Sequence, residues 1–317
     1  MSDRRAWVRR RLLLGVLQIA GLLLLVFALT EALPGDAAVA FAGDQPDPER
    51  IERVRELMGL DRPAGERFAE WVGGLLRGDP GVSLVTGRPV TEYLAAGFGP
   101  TLLLAGVTLV ILVPLAVGLG VLAARREGGP VDRLISTVTL GLYAVPEFAL
   151  GVLLTVVFAL WLGWLPPTAI GYGTDPLVTP LVLVLPVMVL LARPVCSISR
   201  LVRAGMIEAM ASGHVAQARR YGVSAVRVRW THALPHAAAP AAQQVARTAD
   251  WLLGGVIVVE TLFVVPGLGT VLMDAVAARD IPVIQGLAVL FGTVTVLLNL
   301  GADLVAHRFA PRLEVAA

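Results

Sequence analysis

The chain has 317 residues, of which 56% are hydrophobic and only 16% are charged, with a formal net charge of +2. Because soluble domains usually carry about 25% charged residues, this composition excludes an ordinary water-soluble protein and predicts a chain embedded in a bilayer. All 26 basic side chains are arginine. A phosphate-binding loop of the P-loop type requires a lysine, so any ATP that drives this protein must be bound by another chain.

Six apolar segments are long enough to cross a membrane, which takes about 20 residues at a rise of about 1.5 Å each. They cover residues 10–30, 99–124, 134–164, 177–194, 245–266 and 283–306. The third is long enough to tilt or to contain a break at Pro146. The sequence therefore predicts an all-α integral membrane protein with six transmembrane helices.

The first segment also has a basic start and small residues near Ala32, which are features of a secretory signal. Its apolar run, Leu12–Leu29, is longer than the core of such signals, which is about 7 to 15 residues. We therefore predict that this segment is a retained helix rather than a cleaved signal.

Arginine placement predicts the orientation, because basic residues near the ends of spanning helices stay in the cytoplasm. Residues 193–247 contain eight arginines and one acid, whereas residues 31–95 contain seven arginines and twelve acids. The N-terminus and the loop after the second span are also basic. Both termini and the second and fourth loops are therefore predicted to be cytoplasmic.

The acidic stretch 31–95 is too polar to span the membrane, but it contains two patterns that are typical of short amphipathic helices. Their apolar residues are Ile51, Val54, Leu57 and Met58 in the first pattern, and Phe68, Trp71, Val72 and Leu75 in the second. We expect these helices to fold back on the outer membrane surface or on the other helices, with a solvated tether as the alternative. The predicted domains are residues 1–98, with the first span and this insertion, and residues 99–313, the transmembrane core.

The basic loop 200–240 joins the fourth and fifth spans and is helical in composition up to Gly222. Its candidate functional residues are Ala216, Ala218, Arg219, Gly222, Leu234 and Pro235. Alanine lets a helix approach a partner closely, glycine accepts a positive φ without strain, and Leu234–Pro235 ends the return segment. The loop is therefore predicted to form a short cytoplasmic helix that docks in a groove of a soluble partner. Attraction to anionic lipid is an alternative role for the flanking arginines, which are Arg219, Arg220, Arg227 and Arg229.

This spacing resembles the motif E-A-A-x-x-x-G-x(9)-I-x-L-P of permeases in ABC importers, with Ala216 in place of the acid and His232 in place of the isoleucine. Other segments are similar to markers of the peptide and nickel importers within that family. They are LPGDAA at 33–38, GLDRP at 59–63, GDPGVSLVTGRPV at 78–90, VPEFALG at 145–151, LGWLP at 162–166, RAGMIEAM at 203–210, VVETLFVVPGLG at 258–269 and NLGADLVAHRFAPRL at 299–313. Ala310 departs from the aspartate that the family commonly has there.

The resemblance implies a type I ABC importer permease of the bacterial inner membrane that is not itself an enzyme and has no cofactor, with ATP and Mg on a partner ATPase. The partners that it implies are a homologous second permease, two ABC ATPase subunits or domains, an extracytoplasmic solute-binding protein and membrane lipid. It implies no nucleic-acid partner. Peptides are the expected substrate. Nickel or metallophore complexes and sugars remain alternatives.

Two other functions are alternatives to this one. An ion-coupled secondary transporter would be expected to show internal repeats and buried coupling charges, and an intramembrane enzyme would need paired acids or a metal set. Glu147 and Glu260 lie in predicted spans and are candidate pathway-lining or structural residues; Asp303 is expected to pair with Arg308 or meet water. His232 and His236 have a spacing that suits zinc on one helical face, but Pro235 between them disfavours a continuous helix, so no metal site is predicted.

Overall fold

The computed structural model describes residues 2–32, 49, 52, 55–56, 61–170 and 180–309, except for the side chains of residues 2–8, 239, 253–255 and 302–309. Within these ranges the chain is helical and contains no β-strand, so the predicted all-α class is confirmed. The apolar face of the first amphipathic pattern, the LPGDAA marker, the Asp303 and Arg308 side chains and Ala310 lie outside the described residues.

We number the helices of the described residues in chain order. They are α1 (Ser2–Glu31), α2 (Ala64–Leu76), α3 (Val90–Arg125), α4 (Pro130–Ala144), α5 (Glu147–Leu154), α6 (Val184–Ala211), α7 (Gly213–Arg220), α8 (Ala225–Arg227), α9 (Leu234–Phe263), α10 (Leu268–Ala277) and α11 (Ile281–Phe309). Two π-helical segments, Thr155–Trp161 and Val228–Ala233, follow α5 and α8, and a 3-10 turn at Pro180–Leu183 leads into α6.

Four helical segments in the described ranges are long and apolar enough to cross a membrane. They are Arg9–Glu31, Val90–Arg125, Pro180–Ala211 and Ile281–Gly301. Two broken pairs, α4 with α5 and its π-helical continuation, and the end of α9 with α10, would raise the number of spans to six. The chain is therefore a multi-pass membrane protein, and the count of six spans stays a prediction.

Pro146 breaks the third predicted span. α4 ends at Ala144 and α5 begins at Glu147, and the two helical segments are bent by 107°. Proline lacks a backbone N–H and disfavours the helical conformation of the residue before it; Val145 accordingly has an extended ψ of 130°. Of the two options that the sequence left open, a tilt or a break, the chain adopts the break.

Contacts divide the chain into two compact units, one of Met1–Gly99 with Pro266–Ala317 and one of Pro100–Val265. In the first unit α1 packs along α11. α2 packs on the end of α1. The ring centroids of Phe27 and Phe68 lie 5.2 Å apart in an edge-on arrangement, and Trp71 belongs to the same aromatic cluster. The second amphipathic pattern is thus a helix that folds back on another helix, one of the two arrangements predicted for it.

In the second unit α6 is the central helix, and it packs chiefly against α9 and also against α4 and α5. Two glycines permit close helix contacts. A Cβ at Gly205 would lie 2.9 Å from the Ala237 Cα, and one at Gly120 would lie 2.7 Å from the Ser199 carbonyl oxygen. Side chains at these positions would force α6 away from α9 or α3, so the glycines fix the core that supports the candidate site.

Candidate functional site

The connecting segment, which we define as residues 212–233 between α6 and α9, contains most of the residues that the sequence predicted for coupling. Helical structure does not run unbroken to Gly222, because Ser212 has an extended ψ of 154° and separates α6 from α7. After α7 the chain turns, forms the short α8, and returns through the π-helical residues Val228–Ala233 to α9. The segment is therefore a compact helical excursion that starts and ends on the core of the second unit.

One side of the connecting segment packs against this chain. Val215, Val228 and Ala233 are completely buried and Ala218 is 8% exposed, and all four belong to one hydrophobic cluster with residues of α3, α6 and α9. The close approach that Ala218 permits is therefore to the chain's own core rather than to a partner. Leu234 packs against the same cluster, and Leu234 and Pro235 form the start of α9 as well as the end of the returning chain.

Gly222 has the backbone conformation that the sequence predicted for it, with φ at +78°. It ends α7, where its N–H donates to the Arg219 carbonyl and the Val223 N–H donates to the Ala218 carbonyl. A Cβ at this position would meet no atom within 4 Å. Backbone conformation, and not crowding, is therefore the reason for glycine here.

The other side of the connecting segment is exposed. Ala216 and Arg219 belong to it, and Pro235, just beyond the segment, is exposed as well. The exposed side also contains three large side chains that the sequence did not single out. They are Tyr221, Val226 and Trp230, which are 78%, 58% and 50% exposed. Large exposed side chains within a short segment are candidate contact residues for a partner. Their presence as bulky residues within an otherwise basic and polar loop is the sequence feature that could have identified them.

An ion pair with a buried carboxylate joins α4 to α6; the Asp132 side chain is 5% exposed and the Arg203 side chain is 30% exposed. Arg203 donates from Nε to Asp132 Oδ1 at 2.6 Å and from Nη2 to Oδ2 at 2.7 Å, while the Gly128 N–H also donates to Oδ2 at 2.9 Å. This bidentate geometry is the strong form of an arginine–carboxylate contact. It holds α6 against α4 near the point where the connecting segment begins. This pairing was not predicted from the sequence, in which 71 residues separate the two side chains.

A second, open ion pair lies ten residues earlier on α6. Arg193 Nη1 is 3.5 Å from Glu147 Oε1, and the guanidinium also lies 5.3 Å from the centre of the Tyr143 ring. Arg193 is 13 residues from Pro180, the start of this span, which corresponds to about 20 Å along the helix. An arginine inside a bilayer is costly, about 2.5 to 3.5 kcal/mol at the centre on insertion scales. Arg193 lies near the inner end of the predicted fourth span, where Glu147 and the Tyr143 ring give it polar neighbours. Glu147 is thus placed beside a cation.

Glu260 is completely buried in the second unit. Its Oε1 accepts a hydrogen bond of 2.6 Å from the Thr101 hydroxyl, and its backbone carbonyl accepts one of 2.9 Å from the Val265 N–H. The second bond closes the end of α9, where Val264 adopts a φ of +54°. Of the two roles predicted for Glu260, these contacts favour the structural one over lining the pathway.

The histidines do not form the zinc pair considered from the sequence. His232 is within 2.7 Å of the Thr231 hydroxyl, whereas the ring of His236 lies 4.6 Å from that of His214. In the part of the chain that is described, no group of three His, Cys, Asp or Glu side chains is placed to hold a metal ion.

Comparison with known proteins identifies the family. Residues 116–315 match the model of the binding-protein-dependent transport system inner membrane component, and residues 5–93 match the model of the N-terminal part of such membrane components. The probable peptide ABC transporter permease protein y4tP of Sinorhizobium fredii is 34% identical over 311 residues, which cover 97% of this chain and 99% of that protein. The glutathione transport system permease protein GsiC of Escherichia coli (strain K12) is 36% identical over 290 residues, 92% of each chain. The chain therefore belongs to the family of inner membrane permease components of binding-protein-dependent ABC transport systems.

Proposed function

We propose that this chain forms half of the translocation pathway of an ATP-driven peptide importer, and that it receives the force of ATP hydrolysis through the connecting segment. ATP and Mg bind to a separate ATPase. Both termini and the connecting segment face the cytoplasm, and six spans arise when each broken helix pair crosses the membrane once.

Peptide as the substrate class is supported by the names of two relatives that align over nearly the whole chain, one of a peptide permease and one of a glutathione permease. Nickel or metallophore complexes and sugars stay as alternatives for the same machinery. The family's description as binding-protein-dependent supports a solute-binding protein as the outer partner, and we include a homologous second permease as the other half of the pathway.

The observation that carries the coupling proposal is the two-sided connecting segment. Its inner side packs in the same hydrophobic cluster as residues of α3, α6 and α9. A displacement of the segment would therefore be transmitted to these three long helices. Its outer side presents Tyr221, Val226 and Trp230, exposed by half or more. A polar loop with exposed aromatic side chains on a rigid base has the composition that protein–protein interfaces favour. In this arrangement Ala218 and Leu234 hold the segment to the core, while Ala216, Arg219 and Pro235 border the contact with the ATPase.

The experiment is co-purification of the chain with the ATPase, second permease and solute-binding protein encoded beside it, followed by an ATPase assay in liposomes. We expect the complex to hydrolyse ATP faster when the loaded solute-binding protein is present. Gly222→Val should abolish this stimulation and release the ATPase, because a β-branched residue is strained at a φ of +78°. Gly222→Asn should retain most of the stimulation, since asparagine tolerates this conformation.

The matched control is Gly163→Val in the loop after α5. Gly163 also has a positive φ, +64°, and open space around a Cβ, so the substitution introduces comparable backbone strain away from the connecting segment. The control complex should keep its ATPase. If Gly163→Val and Gly222→Val release the ATPase equally, general loss of stability explains the effect and the coupling role is rejected. A wild-type chain that purifies alone and moves solute on an ion gradient would favour the secondary transporter instead.

A further inference from the structure

α6 is buried along most of its length, but it has one exposed stripe. Two-thirds of its apolar span, 67%, is buried inside the chain. Arg193, Ser197, Arg200, Ala204 and Glu208 are three or four positions apart and so lie on one face of α6; Ser197 is half-buried and the other four are exposed. The stripe therefore places two cations on the accessible face of an otherwise buried membrane helix.

The two arginines differ in the carboxylate contacts that their guanidinium groups make within this chain. Arg193 has the long contact with Glu147 and still has a side chain that is 46% exposed. For Arg200 no carboxylate partner is found within the described residues. They are seven residues apart, which is about 10 Å along a helix. Both guanidinium groups therefore have donors that are free to bind an anion.

The same stripe borders an open cleft in the second unit. Its volume is about 480 Å³ and its lining consists of Tyr143, Cys196, Ser197, Arg200 and Leu201. The Ser197 hydroxyl donates to the Pro194 carbonyl at 3.1 Å, which leaves its oxygen as an acceptor. Guanidinium donors, an acceptor oxygen and an aromatic ring are a suitable lining for a zwitterionic molecule with a carboxylate end.

We propose that Arg193 and Arg200 form a carboxylate-binding track in the translocation pathway, and that they hold the C-terminal carboxylate of a peptide as it crosses. This inference rests on the proposed function, because it requires that the α6 stripe faces the pathway and that the cargo is a peptide. Arg200 binds the carboxylate in its planar fork. Arg193 offers a second position two helical turns away, where Glu147 competes with the cargo and keeps the contact weak enough for release.

Lipid and the second permease are the other possible neighbours of the stripe. Arg200 is 20 residues from Pro180, about 30 Å along the helix, so it could instead meet anionic headgroups at the membrane surface. A contact with the second permease would make Arg200 necessary for assembly rather than for passage. The peptide is favoured because Arg200 lines an open cleft, with Arg193 two helical turns away on the same face of α6.

The test uses the whole transporter, reconstituted with its ATPase, second permease and solute-binding protein in liposomes of neutral lipid and in liposomes with added anionic lipid. Uptake of a tripeptide with a free C-terminus is compared with uptake of the same tripeptide amidated at its C-terminus. The solute-binding protein is unchanged in every variant, so its own preference cancels when variant and wild-type ratios are compared. The variants are Arg200→Gln and Arg200→Lys, with Arg133→Gln, an exposed arginine of α4, as the control.

We expect Arg200→Gln to lower the uptake of the free peptide about tenfold, the effect of losing one charged hydrogen-bonding contact, while uptake of the amide changes little. Arg200→Lys should recover part of the rate, and Arg133→Gln should match the wild type. The track is rejected if Arg200→Gln lowers both peptides equally, if its effect follows the anionic lipid content, or if it prevents assembly of the complex. If the wild-type transporter carries neither peptide but responds to another solute, the proposed peptide function fails instead.

Discussion

Both ion pairs of α6 join an arginine to a carboxylate, Asp132 in one and Glu147 in the other, but they differ in contact geometry and in exposure. Arg203 holds Asp132 through two short contacts, and the aspartate is almost completely buried. Arg193 approaches Glu147 through one contact of 3.5 Å, and nearly half of the arginine side chain is exposed. The first pair stabilises the contact between α4 and α6, whereas the second leaves nearly half of the Arg193 side chain accessible.

The difference shows that position on a helix face decides what a charge does in this protein. A buried pair is costly to break, because the remaining charge is left without a partner in a medium of low dielectric. The Arg193–Glu147 pair contributes less to stability, because its single contact is long and the Arg193 side chain is 46% exposed, although Glu147 is only 14% exposed. We therefore expect substitutions of the buried pair to act on folding and coupling, and substitutions of the open pair to act on transport.

The largest effect is expected for Asp132→Ala. This change leaves the Arg203 guanidinium without its carboxylate and removes the acceptor of the Gly128 N–H. It should reduce the free energy of unfolding by about 2 to 3 kcal/mol, less than for a fully buried pair because the Arg203 side chain is 30% exposed. Thermal unfolding of the purified chain in detergent measures the loss. An unfolding temperature equal to that of the wild type would show that the buried pair does not hold α4 to α6.

Arg203→Lys should have an intermediate effect. Lysine keeps the charge but has no planar fork, so it replaces two parallel hydrogen bonds by one. A loss of about 1 to 2 kcal/mol is expected, about that of one charged hydrogen bond. The same unfolding experiment measures it. A loss as large as that of Asp132→Ala would mean that a positive charge alone does not stabilise the contact between α4 and α6.

Glu147→Gln should change transport more than stability. The unfolding free energy should fall by less than about 1 kcal/mol, because the contact with Arg193 is long and exposed. Uptake of a peptide with a free carboxylate should then show a lower KM, since the competing carboxylate has gone. Uptake kinetics in liposomes test this expectation. An unchanged KM would show that the Arg193–Glu147 pair does not contact the transported peptide.

The smallest effect is expected for Glu70→Gln in α2. Arg62 and Glu70 approach to 2.7 Å, as close as the buried pair, but their side chains are 49% and 62% exposed. The change should cost at most about 0.5 kcal/mol. If thermal unfolding shows a loss near that of Asp132→Ala, contact distance rather than burial governs these pairs.

The sequence was sufficient for the fold class, because apolar length alone identifies spanning helices. It also identified the conformation of Gly222, since spacing and residue type point to a turn that only glycine makes easily. It could not assign Asp132 to Arg203, which is 71 residues away, because the pairing depends on how α4 and α6 pack. Nor could it separate the buried Ala218 from the exposed Ala216, since the direction of a short helix depends on the core beneath it.

The most direct measurement of the central claim is cross-linking from the exposed side of the connecting segment to the ATPase. The buried Cys196 is the chain's single cysteine, so a Cys196→Ala background leaves one reactive thiol when Tyr221→Cys is added. Val85→Cys is the control, because Val85 is 51% exposed but lies in the segment before α3 that is predicted to face outside. With a short reagent that joins thiols to amines, Tyr221→Cys should give a permease–ATPase product and Val85→Cys should give none. An intact complex that forms no such product from Tyr221→Cys, Val226→Cys or Trp230→Cys would contradict the docking of this segment on the ATPase.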